Sequence, residues 1–257
     1  MCSACQRIGN LSVKQALTIT PLHKFNMKKL SAYLILLISM LLAGLAQAAP
    51  KHVEVVYQAT RNGMPFATIS ESYKQENGHY KIESVTQGIG VYALLGKRVL
   101  KSEGEVTAEG LKPMHFELHQ GDNEKKALYA DFDWAANQLN MKVKGKPVSA
   151  DLQVGTQDLT SLVYQFMFAQ PNTDDFTLPV TTGKKLRIYN YKVSDRGAII
   201  EVPAGKYKTL HLTDASDSED QKELWLGVES FFLPVRLVMR DDGGAKIEQT
   251  LTSLHAE

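Results

Sequence analysis

Apolar and polar residues alternate along most of this chain, and Asn-Gly pairs interrupt the alternation. The first runs are VEVVYQAT (53–60), ATISESYKQ (67–75) and HYKIESVTQ (79–87), separated by Asn62-Gly63 and Asn77-Gly78. An Asn-Gly pair favours a tight hairpin turn because both residues tolerate positive φ. Similar short runs continue to the C-terminus, so we predict a mainly β protein. Roughly a dozen antiparallel strands would form one curved sheet, as a barrel or half-barrel.

Two segments break the alternation and are predicted to be helical. Leu159, Leu162, Val163 and Phe166 follow the i, i+3, i+4, i+7 spacing of an amphipathic helix over about 157–169, with Thr156 or Asp158 as its N-cap. The apolar run 91–95 lies between glycines and predicts a second, short helical segment. No internal repeat or linker divides the chain after residue 48, which favours one domain over 49–257.

Residues 27–48 have the three parts of a secretory signal peptide. Lys28 and Lys29 form a basic start, an apolar run extends from Leu30 to Leu45, and Ala46-Gln47-Ala48 provides a small-x-small cleavage pattern. The run is shorter than the about 20 apolar residues of a membrane-spanning helix. We therefore expect cleavage after Ala48 and a soluble periplasmic product without a stable membrane anchor.

Residues 1–26 precede this signal and are interpreted as a misassigned N-terminal extension, since Met27 is an alternative start. They contain Cys2 and Cys5, the only cysteines of the chain. Two cysteines supply half of the ligands of a zinc site, and both would leave with the signal peptide. We expect no thiol chemistry in the working protein.

The predicted mature segment, 49–257, is mildly acidic. Residues 1–48 carry five basic and no acidic side chains, which leaves 24 basic and 28 acidic residues, a net charge of −4 where the whole chain has +1. The charges are scattered along the sequence, so they give no electrostatic footprint for nucleic acid. The segment contains no basic amphipathic helix of the kind that binds a membrane surface.

The stretch His115-Phe116-Glu117-Leu118-His119 places two histidines and a glutamate on one strand face. His115 and His119 would lie roughly 13 Å apart, too far to share one zinc ion. If the next strand pairs back across the Gly121 turn, Asp131 falls beside His115, and a His–Asp pair is chemically possible. A solvated polar face explains the whole pattern, and we favour it. The opposite, buried face would consist of Phe116, Leu118, Leu128 and Phe132.

Other catalytic and metal-binding patterns have little support. The acidic run with Asp214, Asp217, Glu219 and Asp220 lacks the residue order of an EF-hand, so we predict a solvated hairpin loop. A G-x-S-x-G motif is absent, and Gly88-Ile89-Gly90 lacks the third glycine of a dinucleotide fingerprint. We predict a non-enzymatic protein without metal or cofactor. A hydrolase with a site assembled from distant residues stays an alternative.

Four segments together carry a family resemblance. They are YKIESVTQGIGVYALLGKRVLKSEGEVTAEGLKP, VGTQDLTSLVYQFMF, VPAGKYKTLHL and KELWLGVESFFLPVRLVMRDDGGAKIEQTL. In this order they resemble a family of exported proteobacterial proteins catalogued as a domain of unknown function, of the DUF3108 type. The resemblance implies an exported, β-rich protein. It brings no established activity, cofactor or catalytic residue.

The remaining candidate is an apolar binding site. Its residues are Val91, Tyr92, Leu94 and Leu95 of the short segment, with Tyr164 and Phe168 of the predicted helix. These side chains either fill the core or enclose, with the curved sheet, a cavity for an acyl chain or other apolar ligand. We favour binding of a lipid-like or hydrophobic ligand in the cell envelope. The alternative is a structural or adaptor protein that docks an envelope partner through a sheet edge.

Overall fold

The computed structural model describes residues 48–215, 222–241 and 243–257. The predicted extension 1–26, the predicted signal peptide except Ala48, and Asp217, Glu219 and Asp220 lie outside the described residues. Within the described ranges, no helix has the length and apolar character that a membrane crossing requires.

The described residues form sixteen strands, one short α-helix and two 3-10 helices. The strands are β1 (His52–Arg61), β2 (Met64–Glu76), β3 (His79–Gly88), β4 (Arg98–Thr107), β5 (Gly110–Gln120), β6 (Leu128–Asp133), β7 (Gln138–Val143), β8 (Lys146–Asp151), β9 (Gln157–Asp158), β10 (Asp175–Thr181), β11 (Leu186–Asp195), β12 (Ile199–Val202), β13 (Gly205–Asp214), β14 (Glu223–Gly227), β15 (Pro234–Arg240) and β16 (Lys246–Ala256). The helix α1 is Ser161–Gln165, and the 3-10 helices are Gly90–Leu95 and Glu124–Lys126.

One large curved, open sheet contains nearly all of these strands. Its order is β8-β7-β6-β5-β4-β3-β2-β1-β16-β15-β14-β13-β11-β10-β9, and β12 pairs only with β13. The pairs are antiparallel except for the short parallel pair of β9 with β10. The first and last strands, β1 and β16, lie side by side and join the two halves of the sheet. The predicted mainly β, barrel-like architecture is confirmed.

The first strands follow the predicted alternation and turns. In β1, Val53, Val55 and Tyr57 are buried, whereas Glu54 and Gln58 are exposed. The Asn62-Gly63 turn has φ angles of 49° and 82°, so Arg61 pairs directly with Met64. Positive φ at both turn residues matches the right-handed twist of the flanking strands.

The sheet curves around the segment that contains α1. Three apolar clusters surround this segment, and its residues contribute to each of them. Tyr164 and Met167 pack on β1–β3, Leu162 and Phe166 pack on β10–β14, and Leu159 packs against the cluster of β4–β7. The sheet and the three clusters are built from residues 49–257, so this part of the chain contains its own core.

The helix around 162 is shorter than the predicted 157–169. The apolar spacing is correct, but α1 comprises only Ser161–Gln165. Gln157 and Asp158 instead pair with Val180 and Thr181 as strand β9. Both are completely buried, and Gln157 donates a hydrogen bond to the Leu111 carbonyl at 2.9 Å. These tertiary bonds hold the backbone extended where local spacing favours a helix.

The carboxylate of Asp158 caps α1 and ties it to the sheet. Its Oδ1 accepts hydrogen bonds from Thr160 N at 2.8 Å, Thr160 Oγ1 at 2.7 Å and Ser161 N at 2.9 Å. Its Oδ2 accepts from Ser102 Oγ on β4 at 2.5 Å. Tyr80 Oη on β3 lies 3.0 Å from the same serine hydroxyl. Burial raises the pKa of Asp158, and these hydrogen bonds oppose the rise.

Removing this carboxylate should destabilise the fold severely. Asp158→Ala leaves two buried backbone N–H groups, Thr160 N and Ser161 N, without their acceptor, so we expect a loss of about 3 kcal/mol in the free energy of unfolding. Urea unfolding of residues 49–257 measures the loss. The matched control is Asp175→Ala, at an exposed position of β10, which should change stability by less than about 0.5 kcal/mol. Equal losses in the two variants would contradict the role assigned to Asp158.

Candidate functional site

The loops at one end of the sheet come from alternate hairpins. In an antiparallel meander, every second connection lies at the same end. Here this end carries the turns at 62–63, 89–97, 121–127, 144–145, 182–185 and 241–245. We call it the basic end, because of the side chains described next.

A cavity of about 790 Å³ opens at the basic end. Among the described residues, fifteen line it; nine of these are lysine or arginine, and none of these fifteen is acidic. Leu118, Leu128 and Val143 of the β4–β7 cluster contribute apolar surface. The nine basic residues are Arg98, Lys125, Lys126, Lys144, Lys184, Lys185, Arg187, Lys222 and Arg240.

The basic cavity concentrates positive charge in an acidic domain. It contains nine of the 24 basic residues of 49–257, a segment with a net charge of −4. Five of these lysines form no ion pair within the described part of the chain. The five are Lys125, Lys126, Lys144, Lys184 and Lys185. Like charges in a concave surface focus a positive potential that attracts anions.

Two cations connect the basic cavity to a smaller inner cavity of about 150 Å³. Arg98 and Lys222 line both cavities. Lys222 Nζ donates a hydrogen bond to Tyr189 Oη at 3.0 Å and lies 4.3 Å from the centre of that ring. Arg98 is half-buried, and burial lowers the pKa of its guanidinium. Both cations therefore lie between the open basic cavity and the interior.

The inner cavity lies between the sheet and the α1 segment and has mainly apolar walls. Leu100, Leu159 and Leu162 line it together with the Tyr191 ring. Tyr191 is 1% exposed, and its hydroxyl has no hydrogen-bond partner among the described residues. An unpaired buried hydroxyl costs about 1–3 kcal/mol, so Tyr191 is retained here at some cost in stability.

Glu71 is the one acidic residue among the described residues that line the inner cavity. Ser84 Oγ donates a hydrogen bond to Glu71 Oε1 at 2.8 Å, and Tyr164 Oη donates to Oε2 at 3.2 Å. Burial raises the pKa of Glu71 more than these two hydrogen bonds lower it.

The six residues predicted to bind an apolar ligand lie in two different environments. Val91, Leu94 and Leu95 are exposed on the first 3-10 helix, while Tyr92 is half-buried with its ring 5.5 Å from that of Phe66. Tyr164 is buried in the core and stacks on Tyr73 at 5.5 Å, and the half-buried Phe168 lies 6.5 Å from the same ring. Their role in ligand binding stays a prediction.

The His115–Asp131 pair forms on the outer face of the sheet. The two residues are opposite each other in β5 and β6, and His115 Nδ1 lies 2.6 Å from Asp131 Oδ1. Asp131 is 67% exposed. Phe116 and Leu118 point to the buried opposite face, as predicted. Among the described residues, no group of three or more His, Cys, Asp or Glu side chains could hold a metal ion.

The basic cavity was not predicted from the sequence, although most of its basic residues share one sequence feature. Most of them stand beside a turn: Lys144 precedes Gly145, Lys184 and Lys185 follow Gly183, and Arg98 follows Gly96-Lys97. Basic residues at alternate hairpins of a meander lie at the same end of the sheet. Folding of the meander thus brings basic residues that are scattered in the sequence into one surface patch.

The fold and this cavity define a β-barrel-like protein with a basic cavity at one end of a curved sheet. The chain belongs to the family described as protein of unknown function (DUF3108), whose family model matches residues 55–252. It is similar in fold to the crystal structure of a beta-barrel-like protein of domain of unknown function DUF1849 from Brucella abortus. The TM-score is 0.50 at 13% sequence identity, over 81% of this chain and 98% of that chain. No curated protein matches the chain.

Replacing Glu71 by glutamine should change how stability depends on pH. Because burial raises the folded-state pKa of Glu71 above its ordinary value of 4.5, the folded protein binds this proton more tightly than the unfolded chain does. Stability is then lost as the pH rises from that value through the folded-state pKa. Glu71→Gln has no charge to bury, so its free energy of unfolding should rise relative to wild type over this range.

Urea unfolding of both proteins from about pH 4 to about pH 8 measures the difference. The same measurement on Glu83→Gln, at an exposed position of neighbouring strand β3, gives the baseline. A Glu71→Gln difference that stays constant with pH would rule out the proposed burial effect.

Proposed function

We propose that residues 49–257 form a soluble, non-enzymatic periplasmic protein that binds an anionic ligand with an apolar part, such as a lipid-like amphiphile. The charged group of the ligand would lie in the basic cavity, and its apolar part would extend toward the inner cavity. The observation that carries the proposal is the basic cavity itself, with nine Lys and Arg side chains.

The size and chemistry of the two cavities support such a ligand. The basic cavity of about 790 Å³ lies in the range of about 300–1,000 Å³ typical of ligand sites. The inner cavity of about 150 Å³ has the volume of cavities that accept a small apolar group. Arg98 lines both, so its guanidinium can bind the anionic group where the two cavities meet.

The proposed location rests on the sequence. Residues 27–48 have the basic start, apolar run and cleavage pattern of a secretory signal peptide, and the family resemblance also implies export. A binding protein for envelope amphiphiles would work in that compartment.

The two alternatives have weaker support. An adaptor that adds a partner strand would need an accessible sheet edge, but edge strand β8 begins with Lys146 and Pro147, residues that discourage strand addition. A hydrolase would need its His115–Asp131 pair beside a substrate cavity. His115 lines an open cavity of about 590 Å³ on the outer face, but Asp131 does not line it and is mostly exposed.

Replacing Arg98 by methionine tests the proposed site. The probe is 11-dansylaminoundecanoate, an anionic acyl compound, and its uncharged methyl ester is the comparison. We expect residues 49–257 to bind the anion more tightly than the ester. Arg98→Met should weaken anion binding by about tenfold or more, because a charge-assisted hydrogen bond is lost. Fluorescence titration gives both dissociation constants.

Lys206→Met is the matched control, because Lys206 lies at an exposed position of β13 and lines neither cavity. Near-ultraviolet circular dichroism should show that both variants keep the native fold. Equal affinity of the wild type for acid and ester, or equal affinity of the two variants for the anion, would refute the proposed site.

A further inference from the structure

The segment 89–95 exposes four large apolar side chains within seven residues. Ile89 is 42% exposed, Val91 76%, Leu94 88% and Leu95 64%. Single exposed apolar residues are ordinary on protein surfaces, but a contiguous apolar patch marks an interaction site. We call these four residues the apolar tip.

The apolar tip is held in a fixed position at the end of the sheet. Ile89 N donates a hydrogen bond to the Phe66 carbonyl at 2.8 Å, and Tyr92 packs edge-on against the Phe66 ring. On the other side, Gln120 Nε2 donates to the Leu95 carbonyl at 3.0 Å. These bonds attach both ends of the segment to the neighbouring strands, while the four apolar side chains are exposed.

Glycines allow this close contact with the neighbouring hairpin. A Cβ atom at Gly96 would lie 2.9 Å from the Gly121 Cα, and Gly96 also has a φ of 71°. Any side chain at Gly96 would push the segment away from the 121–127 loop. The chain therefore places the apolar tip directly against the loop that carries Lys125 and Lys126.

The apolar tip and the basic cavity are neighbours at the same end of the sheet. Gln120, which bonds to Leu95, lines the basic cavity, and so does Arg98, three residues after Leu95. Lys125 and Lys126, in the adjoining loop, are exposed. An apolar protrusion beside a patch of cations is the combination that binds the surface of an anionic bilayer.

We propose that the basic end docks on a lipid bilayer that contains anionic lipids. Val91, Leu94 and Leu95 enter the interface between head groups and acyl chains, and the lysines around the cavity contact lipid phosphates. The docked orientation places the opening of the basic cavity against the head groups. This surface interaction does not require that the cavity itself holds a ligand.

Charge favours a bilayer over a second copy of this chain. A symmetric dimer through the apolar tip would use the same surface on both subunits. It would bring the nine cations of one basic cavity against the nine of the other. The repulsion opposes that contact, whereas anionic head groups complement it.

Vesicle flotation tests the proposal with residues 49–257. We expect flotation with vesicles of phosphatidylglycerol and phosphatidylcholine, weaker flotation with phosphatidylcholine alone, and release as salt is raised, since salt screens exposed charges. The double variant Val91→Asp/Leu94→Asp should reduce the vesicle partition coefficient by about tenfold or more. Both positions are exposed, so the variant should fold normally.

Val154→Asp is the matched control. Val154 is 94% exposed, and its neighbour Gly155 lies beside Gln157, which donates to the Leu111 carbonyl near the start of β5. That is the opposite end of the strand from Gln120. The control should float like the wild type.

Three outcomes would overturn the proposal: no flotation of the wild type with anionic vesicles, equal losses in the double variant and the control, or equal binding to neutral and anionic vesicles. Sedimentation without lipid adds a fourth, because a dimer abolished by the double variant would assign the apolar tip to self-association. Capture of an acidic protein by the wild type without vesicle flotation would likewise refute membrane docking.

The experiments distinguish a failure of the cavity-binding proposal from a failure of the membrane-docking proposal. If cavity binding alone is wrong, Arg98→Met and Lys206→Met will bind the anionic probe equally while the apolar-tip variant still loses flotation. If membrane docking alone is wrong, flotation will not depend on Val91 and Leu94, while the effect of Arg98→Met on probe binding persists.

Discussion

The burial of Asp158 is the constraint on which the rest of the structure depends. A buried carboxylate is stable only if hydrogen-bond donors replace the water that it loses. Here the donors come from the start of α1 and from β4, with Tyr80 of β3 beyond Ser102. Satisfying this one group fixes the α1 segment across the concave face of the sheet. The three apolar clusters can then form on different sides of the same segment.

The fixed segment also explains why the interior has two distinct environments. Leu162 and Leu159 fill the space between the two halves of the sheet, but a small cavity remains where Glu71, Tyr191 and Arg98 approach the segment. Beyond Arg98 the walls become cationic. A gradient from apolar interior to positive opening is the arrangement that orients an amphiphile with its anionic group outward.

The sequence predicts the local structure well where short-range chemistry decides it. Asn62-Gly63 and Asn77-Gly78 adopt the expected positive φ angles, and the alternation in β1 matches its buried face. The predicted helix is shortened because Gln157 and Asp158 form bonds with strands distant in sequence. The basic cavity cannot be predicted from local sequence for a similar reason. Its cations come from several hairpins between Arg98 and Arg240, and only the strand order brings them together.

Net charge alone does not describe how charge is distributed over the surface. A net charge of −4 suggests that the segment has little affinity for anions. The attraction of an anion, however, depends on the electrostatic potential close to its binding site. Salt screens charges beyond about 8–10 Å, so the side chains near the basic cavity set its potential, and there the nine cations outnumber the acids Asp122, Glu124 and Asp241 of the same loops. The cations beside the apolar tip thus favour one orientation of the proposed docking, with the apolar tip toward the lipid.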